Sequence, residues 1–248
     1  MTVANDSMRA ARIEWHARAS ESAWIEAAVA AIGAALQEGL AAHAETWLLL
    51  SGGSTPVDVY RELSRVALDW SRVVASLVDD RDVEPDADGS NARLVRETLL
   101  QQRAAEARFV PLRATGQALA AAVAANNARW RQAEAGAPPP APAVLGMGDD
   151  GHTASLFPQA PGLAAALASS EPYAAIDASG CAGAGAWPLR ISLTPAGLSR
   201  ASRRLLLLRG ERKRTVFERA LADGDVGEAP VRVAIDLPGP PLRIEWCP

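Results

Sequence analysis

Short runs in which every residue is apolar recur along this chain, separated by longer stretches of helical period and closed by glycine, proline or clustered charge. A run that is apolar at every position, instead of at alternate ones, suits a strand covered on both faces, as inside a parallel sheet. Parallel neighbours need a crossover of a dozen or more residues, usually a helix, and the intervening stretches have that length. The pattern predicts an α/β fold, with a mostly parallel sheet between helices. Strands are expected over residues 47–50, 73–78, 109–112, 143–145, 190–193, 205–209, 231–235 and 242–246. Helices are expected after Pro56, which suits a first helical position, from the N-cap Ser90 to Leu99, and over 116–134 and 211–221.

A chain of 248 residues is near the upper size for one core, which α/β folds often fill. The proline cluster at 136–142 reads as a surface loop, so one domain over 1–248 is expected. The formal net charge is −4, and the Lys and Arg residues are scattered, which excludes a stripe that tracks nucleic acid. The apolar run at 118–125 stops at Asn126 and Asn127 and is too short for a membrane span. Residues 1–12 carry Asn5, Asp6, Arg9 and Arg12 and no apolar signal core, so a cytoplasmic location is expected. Cys181 and Cys247 are too few for a disulfide framework and lack metal-ligand spacing. No metal and no cofactor is expected. The Ala/Gly-rich stretch at 178–186 reads as a variable loop.

Three loops at expected carboxyl ends of strands hold the residues suited to chemistry, and open α/β sheets bind ligands at that edge. The first is Ser51-Gly52-Gly53-Ser54-Thr55-Pro56, where two glycines let the backbone approach a ligand and a helix start favours an anion. It reads as a phosphate cradle or as a tight strand-to-helix turn. The second is Asp79-Asp80-Arg81 followed by Ser90-Asn91, either a binding cluster or a solvated charge run. The third, Gly146-Met147-Gly148-Asp149-Asp150-Gly151-His152-Thr153, satisfies G-x-G-x-x-G and nearly satisfies the P-loop. It lies too deep in the chain for a dinucleotide fingerprint, and His152 stands where a P-loop needs lysine. A histidine beside Asp150 in such a loop suits a general base, its ring oriented by the carboxylate. His16 and His43 have no such surroundings, and no G-x-S-x-G or H-E-x-x-H motif occurs.

These three motifs, the last continuing as Ala154-Ser155-Leu156-Phe157-Pro158, occur in the order found in the 6-phosphogluconolactonase family, which the chain resembles from about residue 12 onward. Arg190-Ile191-Ser192-Leu193-Thr194 is similar to the family's Arg-x-[ST]-Leu-Thr strand, and Gly210-Glu211-Arg212-Lys213 to its Gly-x-x-Lys turn. The resemblance implies a Rossmann-like α/β/α sandwich, shared with glucosamine-6-phosphate deaminase and ribose-5-phosphate isomerase relatives. It also implies hydrolysis of a sugar phosphate lactone, with His152 as general base and the phosphate against Gly52, Gly53, Ser54, Arg190 and Lys213. Thr55, Asp80, Ser90 and Asn91 are further expected binding residues, with Asp150 and Arg81 beside His152 in the catalytic set. Two positions differ from the usual pattern: Asp80 stands where the family has Glu, and a nearby proline is displaced to Pro85.

A deaminase or isomerase on the same fold is the nearest alternative. Deaminases resemble Gly-His-Ile-Ala-Phe-Asn-Glu-Pro at this loop, whereas this chain has no acid between Gly151 and Glu171. A non-catalytic sugar-phosphate sensor is the other alternative, and the chain has no spare segment for a partner module. The expected partner is therefore a small sugar phosphate lactone, without nucleic acid or membrane, bound by a monomer or small homo-oligomer.

Overall fold

The computed structural model describes residues 9–135, 141–222 and 224–248. In chain order the first half runs β1 (Ile13–Ala17), α1 (Glu21–Ala42), β2 (Thr46–Leu50), α2 (Val57–Leu63), β3 (Val73–Leu77), β4 (Asp79–Arg81), α3 (Asn91–Thr98), β5 (Arg108–Phe109) and α4 (Leu119–Ala135). The second half runs β6 (Ala141–Leu145), α5 (Leu163–Leu167), β7 (Tyr173–Asp177), β8 (Leu189–Leu193), α6 (Pro195–Leu198), β9 (Ala201–Arg209), α7 (Glu211–Leu221), α8 (Arg232–Asp236) and β10 (Leu242–Cys247). Seven strands form the main sheet, in the order β1-β10-β9-β6-β2-β3-β5, and every pairing in it is parallel. All residues of β2, β3 and β6 are buried, as strands covered on both faces require.

Strand order reverses between β2 and β6. From β2 the chain moves outward through β3 to β5, then returns to the other side of β2 and continues through β9 and β10. The loops leaving β2 and β6 therefore diverge to opposite faces, and a crevice opens between them at their carboxyl ends. This topology positions the site.

Three departures from the expected elements have local causes. Residues 231–235 begin a short helix, α8, instead of a strand. Val231, Val233, Ala234 and Ile235 are all buried, and a short apolar run buried on every side carries no periodicity that separates strand from helix. The run at 73–78 also serves two sheets. At Val78 the chain leaves the main sheet: its N–H still donates to Leu50 O (2.9 Å), while its carbonyl accepts from Leu193 N (2.8 Å). Residues beyond it form β4, the edge of a small antiparallel sheet ordered β4-β8-β7. The expected strand at 109–112 pairs only through Arg108–Phe109, ahead of Pro111. Residues 136–140 of the proline-cluster loop lie outside the described residues, and Ala141 and Pro142 already belong to β6, with a register shift between them.

Among the described residues, helix α1, not the run at 118–125, is the segment long and apolar enough by length and composition to cross a membrane. In the fold it covers the sheet. Ser20 caps its start by accepting from Ala23 N, and Trp24, Ala28, Ile32 and Leu36 make a fully buried stripe at four-residue spacing. Trp24 Nε1 donates to the Glu245 carbonyl of β10 at 2.8 Å, which fixes where the helix sits along the strand.

Candidate active site

The crevice between the β2 and β6 loops holds a cavity of roughly 240 Å³. Gly52, Gly53, Ser54 and Thr55 enter it from the β2 loop, Arg81 from β4, Asn91 from the start of α3, His152 from the β6 loop, Arg190 from β8 and Lys213 from α7. Asp150, Asp80 and Ser90 are outside the lining. The first acts on the lining through His152, and the other two through α3.

Gly53 turns the β2 loop with φ +84°, and Gly52 leaves room for Asn91, whose Oδ1 lies 1.8 Å from where a Cβ would stand. Asn91 Nδ2 in turn donates to the Asp79 carbonyl at 2.8 Å. In the β6 loop His152 Nδ1 lies 2.6 Å from Asp150 Oδ1, and the His152 N–H donates to the same oxygen at 3.1 Å. Burial pushes the Asp150 carboxyl up, but its hydrogen bonds and ion pairing with His152 win, and it is held below the usual carboxylate range. An ionised Asp150 only accepts, so Nδ1 carries the proton. Nε2 then has the free lone pair, which is the tautomer a base needs. Phe157 packs against the imidazole, with ring centroids 4.3 Å apart. Gly148 backs the pair closely: a Cβ there would lie 2.2 Å from His152 Nδ1 and 2.6 Å from Asp150 Oδ1.

The lining beside this pair is cationic. Arg81 and Arg190 are directly paired across the β4–β8 ladder, a destabilising placement for two like charges unless an anion joins them. Arg190 is only 4% exposed. Its Nε and Nη2 donate to the Trp187 and Ala184 carbonyls at 2.5 and 2.8 Å, and among the described residues no carboxylate forms a salt bridge with it. Burial pulls its guanidinium below the ordinary value, Asp79 opposes this, and Arg81 adds to it. Arg81 donates to the Gly89 carbonyl, stacks on Trp187 at 5.5 Å and keeps a buried Nε without a partner. Lys213 donates to the Met147 carbonyl at 2.6 Å, and burial lowers its ammonium while Asp149 and Asp150 oppose the shift. Three cations with carbonyl partners and no salt bridge make a seat for an anionic group. Among the described residues, no group of three or more His, Cys, Asp or Glu side chains is placed to hold a metal ion.

Asp80 and Ser90 are capping residues in this geometry. The buried Asp80 carboxylate accepts from Asn91 N (2.7 Å), Arg81 N (2.8 Å), Ala92 N (3.1 Å) and Ser90 Oγ (3.3 Å). Ser90 Oγ accepts from Ala92 N and Arg93 N, so two acceptors share the first turn of α3. Burial drives the Asp80 carboxyl up to about 6 against the pull of those N–H groups. Its shorter reach relative to Glu matches contact with backbone donors on both sides. Replacing Asp80 with Ala strands these donors, and a loss of about 1–3 kcal/mol in urea-unfolding stability is expected. An unchanged midpoint would contradict the capping role.

Ser51, Asp79, Met147, Ala154 and Phe157 line the cavity from within the quoted motifs without having been singled out as site residues, and Gly183 lines it from a stretch that carried no site signal. Asp79 is buried, and its Oδ2 accepts from Ser155 Oγ at 2.5 Å, which ties the His152 loop to β4. Ala154 holds φ +50°, a left-handed conformation for a residue with a Cβ, in the turn after His152. The Ala/Gly stretch expected to be a variable loop is a wall of the site. Gly183 lines the cavity, and the Ala184 and Trp187 carbonyls hold Arg190.

Comparison with known proteins agrees with this geometry. The family model described as glucosamine-6-phosphate isomerases/6-phosphogluconolactonase matches residues 19–238. A 6-phosphogluconolactonase of Xylella fastidiosa (strain 9a5c) is 52% identical over 200 residues, covering 81% of this chain and 82% of that protein. One from Rhizobium meliloti (strain 1021) is 42% identical over 233 residues, 94% of this chain and 98% of that protein. The crystal structure of a 6-phosphogluconolactonase from Shewanella baltica OS155 superposes with a TM-score of 0.82 at 34% identity, covering 95% of this chain and 97% of that one. With the sheet, the three loops and these matches in agreement, the chain belongs to the glucosamine-6-phosphate isomerase/6-phosphogluconolactonase family.

Proposed function

We propose that this protein hydrolyses 6-phospho-D-glucono-1,5-lactone to 6-phospho-D-gluconate, a step of the pentose phosphate pathway, with His152 as the base that activates water. The observation that carries this reading is the convergence of the Asp150–His152 pair and the Arg81, Arg190 and Lys213 cations on one cavity. An ester that also carries a phosphate needs both a base and an anion seat in one site.

The 6-phosphate sits against the Gly52-Gly53-Ser54 backbone, Arg190 and Lys213, which leaves the lactone carbonyl toward His152. Nε2 takes a proton from water as its oxygen bonds to C1, and Asp150 stabilises the imidazolium. The carbonyl oxygen becomes an oxyanion, for which Arg81 or loop N–H groups are the donors, each contributing on the order of 3 kcal/mol. Collapse re-forms the carbonyl and breaks the bond from C1 to the ring oxygen, which receives the proton from imidazolium. The product acid then ionises to solvent. A lactone already opens slowly in water, so the scheme needs neither metal nor covalent intermediate. One domain, as a monomer or small homo-oligomer working in the cytoplasm, completes the reading.

The test offers the purified protein freshly made 6-phosphogluconolactone and, separately, glucosamine 6-phosphate. Lactone loss above the spontaneous rate, without ammonia from the amino sugar, is the expected pair of results. Ammonia release, or lactone loss at the spontaneous rate, would overturn it.

A further inference from the structure

The Asp150–His152 pair is held between two glycines. Gly148 belongs to the loop that carries the pair, whereas Gly183 arrives from the segment between β7 and β8. A Cβ at Gly183 would lie 2.6 Å from Asp150 Oδ2, 3.1 Å from His152 Nδ1 and 3.2 Å from His152 Cε1. Real Cβ contacts do not come so close to an oxygen, so one side has to yield. On its far side the same segment is anchored, because the Ala184 and Trp187 carbonyls accept from the buried Arg190 and the Trp187 ring stacks on Arg81. The Asp150 carboxylate is the end of a short side chain that is 32% exposed, and it is the group free to move.

We propose that Gly183 is a positioning residue for the proposed lactone hydrolysis: its missing side chain lets an Arg190-anchored segment close against the Asp150–His152 pair and fix the orientation of the base. The inference rests on the lactonase reading above and adds a residue that makes no bond to the substrate. Gly183 is not among the glycines with positive φ, so alanine meets no backbone penalty there and reduces the freedom of the unfolded chain. The cost of the added methyl group falls on the pair, not on the fold.

The test is Gly183→Ala, with Gly180→Ala as its control in the same segment. Gly180 has φ +84° and nothing within 4 Å of a built Cβ, so alanine there strains the backbone without touching the pair. For Gly183→Ala, kcat on 6-phosphogluconolactone is expected to fall about 10- to 100-fold, the scale of an ångström misplacement. KM is expected to stay within about threefold, since Arg190 keeps its place, and the thermal midpoint to hold or rise slightly. The imidazole C–H resonances of His152, identified by their loss in His152→Ala, shift in Gly183→Ala and stay in place in Gly180→Ala. Wild-type kcat with unmoved His152 resonances would overturn the proposal, as would kcat loss accompanied by an equal rise in KM and a lowered thermal midpoint. Inactivity of the wild type itself would instead sink the lactonase reading, and the resonances would still report on the positioning.

Discussion

Replacing His152 with Ala is expected to lower kcat for 6-phosphogluconolactone by roughly 10²- to 10⁴-fold, the usual share of a positioned general base. The fold is expected to survive, because the loop is held by bonds that do not use the imidazole. The Gly148 N–H donates to the His152 carbonyl at 2.9 Å, Thr153 Oγ1 to the Gly146 carbonyl at 2.8 Å, and Ser155 Oγ to Asp79. The main side-chain bond lost is the one to Asp150, which is itself partly exposed. KM is expected to change little, since the proposed phosphate contacts of Gly52, Gly53, Ser54, Arg190 and Lys213 do not use the imidazole. Steady-state rates corrected for spontaneous opening measure both constants, and a variant with near-normal kcat would remove His152 from the mechanism.

Substituting Lys213 with Ala is expected to reduce kcat/KM for the phosphorylated lactone by roughly 10- to 150-fold. The figure follows from one charge-assisted hydrogen bond to a dianion, about 1.5–3 kcal/mol. Unphosphorylated gluconolactone never makes that contact, so its turnover is expected to fall far less, any loss reflecting the Met147 carbonyl that Lys213 also holds. Arg190→Ala is expected to lose at least as much on the phosphorylated lactone. It also loses part of its gluconolactone rate, because the same guanidinium carries the Ala184 and Trp187 carbonyls behind Gly183. Comparing kcat/KM for both lactones in both variants separates the two contributions. Equal losses on the two substrates with Lys213→Ala would mean that Lys213 supports the structure, not the phosphate.

The legible parts of this molecule are those decided locally. Strands β2, β3 and β6 show as mostly apolar runs, Ser90 caps α3, and α7 spans Glu211–Leu221 as its pattern predicts. His152 stood out because a histidine beside a carboxylate in a glycine-rich turn has few other uses, and Arg190 and Lys213 emerged from motif resemblance. What was hidden depends on residues brought together from afar. Asp80 looked like a ligand group because the turn that carries the Asn91 and Ala92 N–H groups back to it is invisible in the sequence. Gly183 sat in a stretch of small residues that signals only low complexity, yet smallness is what the approach to Asp150 demands. The antiparallel sheet escaped notice because β4 is a three-residue charged segment, Asp79–Arg81, that follows an apolar run without a break.

The pH dependence of kcat/KM tests the water-activating role of His152 most directly, provided that both lactones are used. Between about pH 5 and 8 the phosphate monoester of the natural substrate also titrates, with a second pKa near 6. An acid limb seen only with the phosphorylated lactone would therefore belong to the substrate. The mechanism predicts that kcat/KM falls with the uptake of one proton as pH decreases, for phosphorylated and unphosphorylated lactone alike, because both rely on the lone pair of Nε2. A flat profile for gluconolactone across that range, after correction for spontaneous opening, would contradict a histidine base.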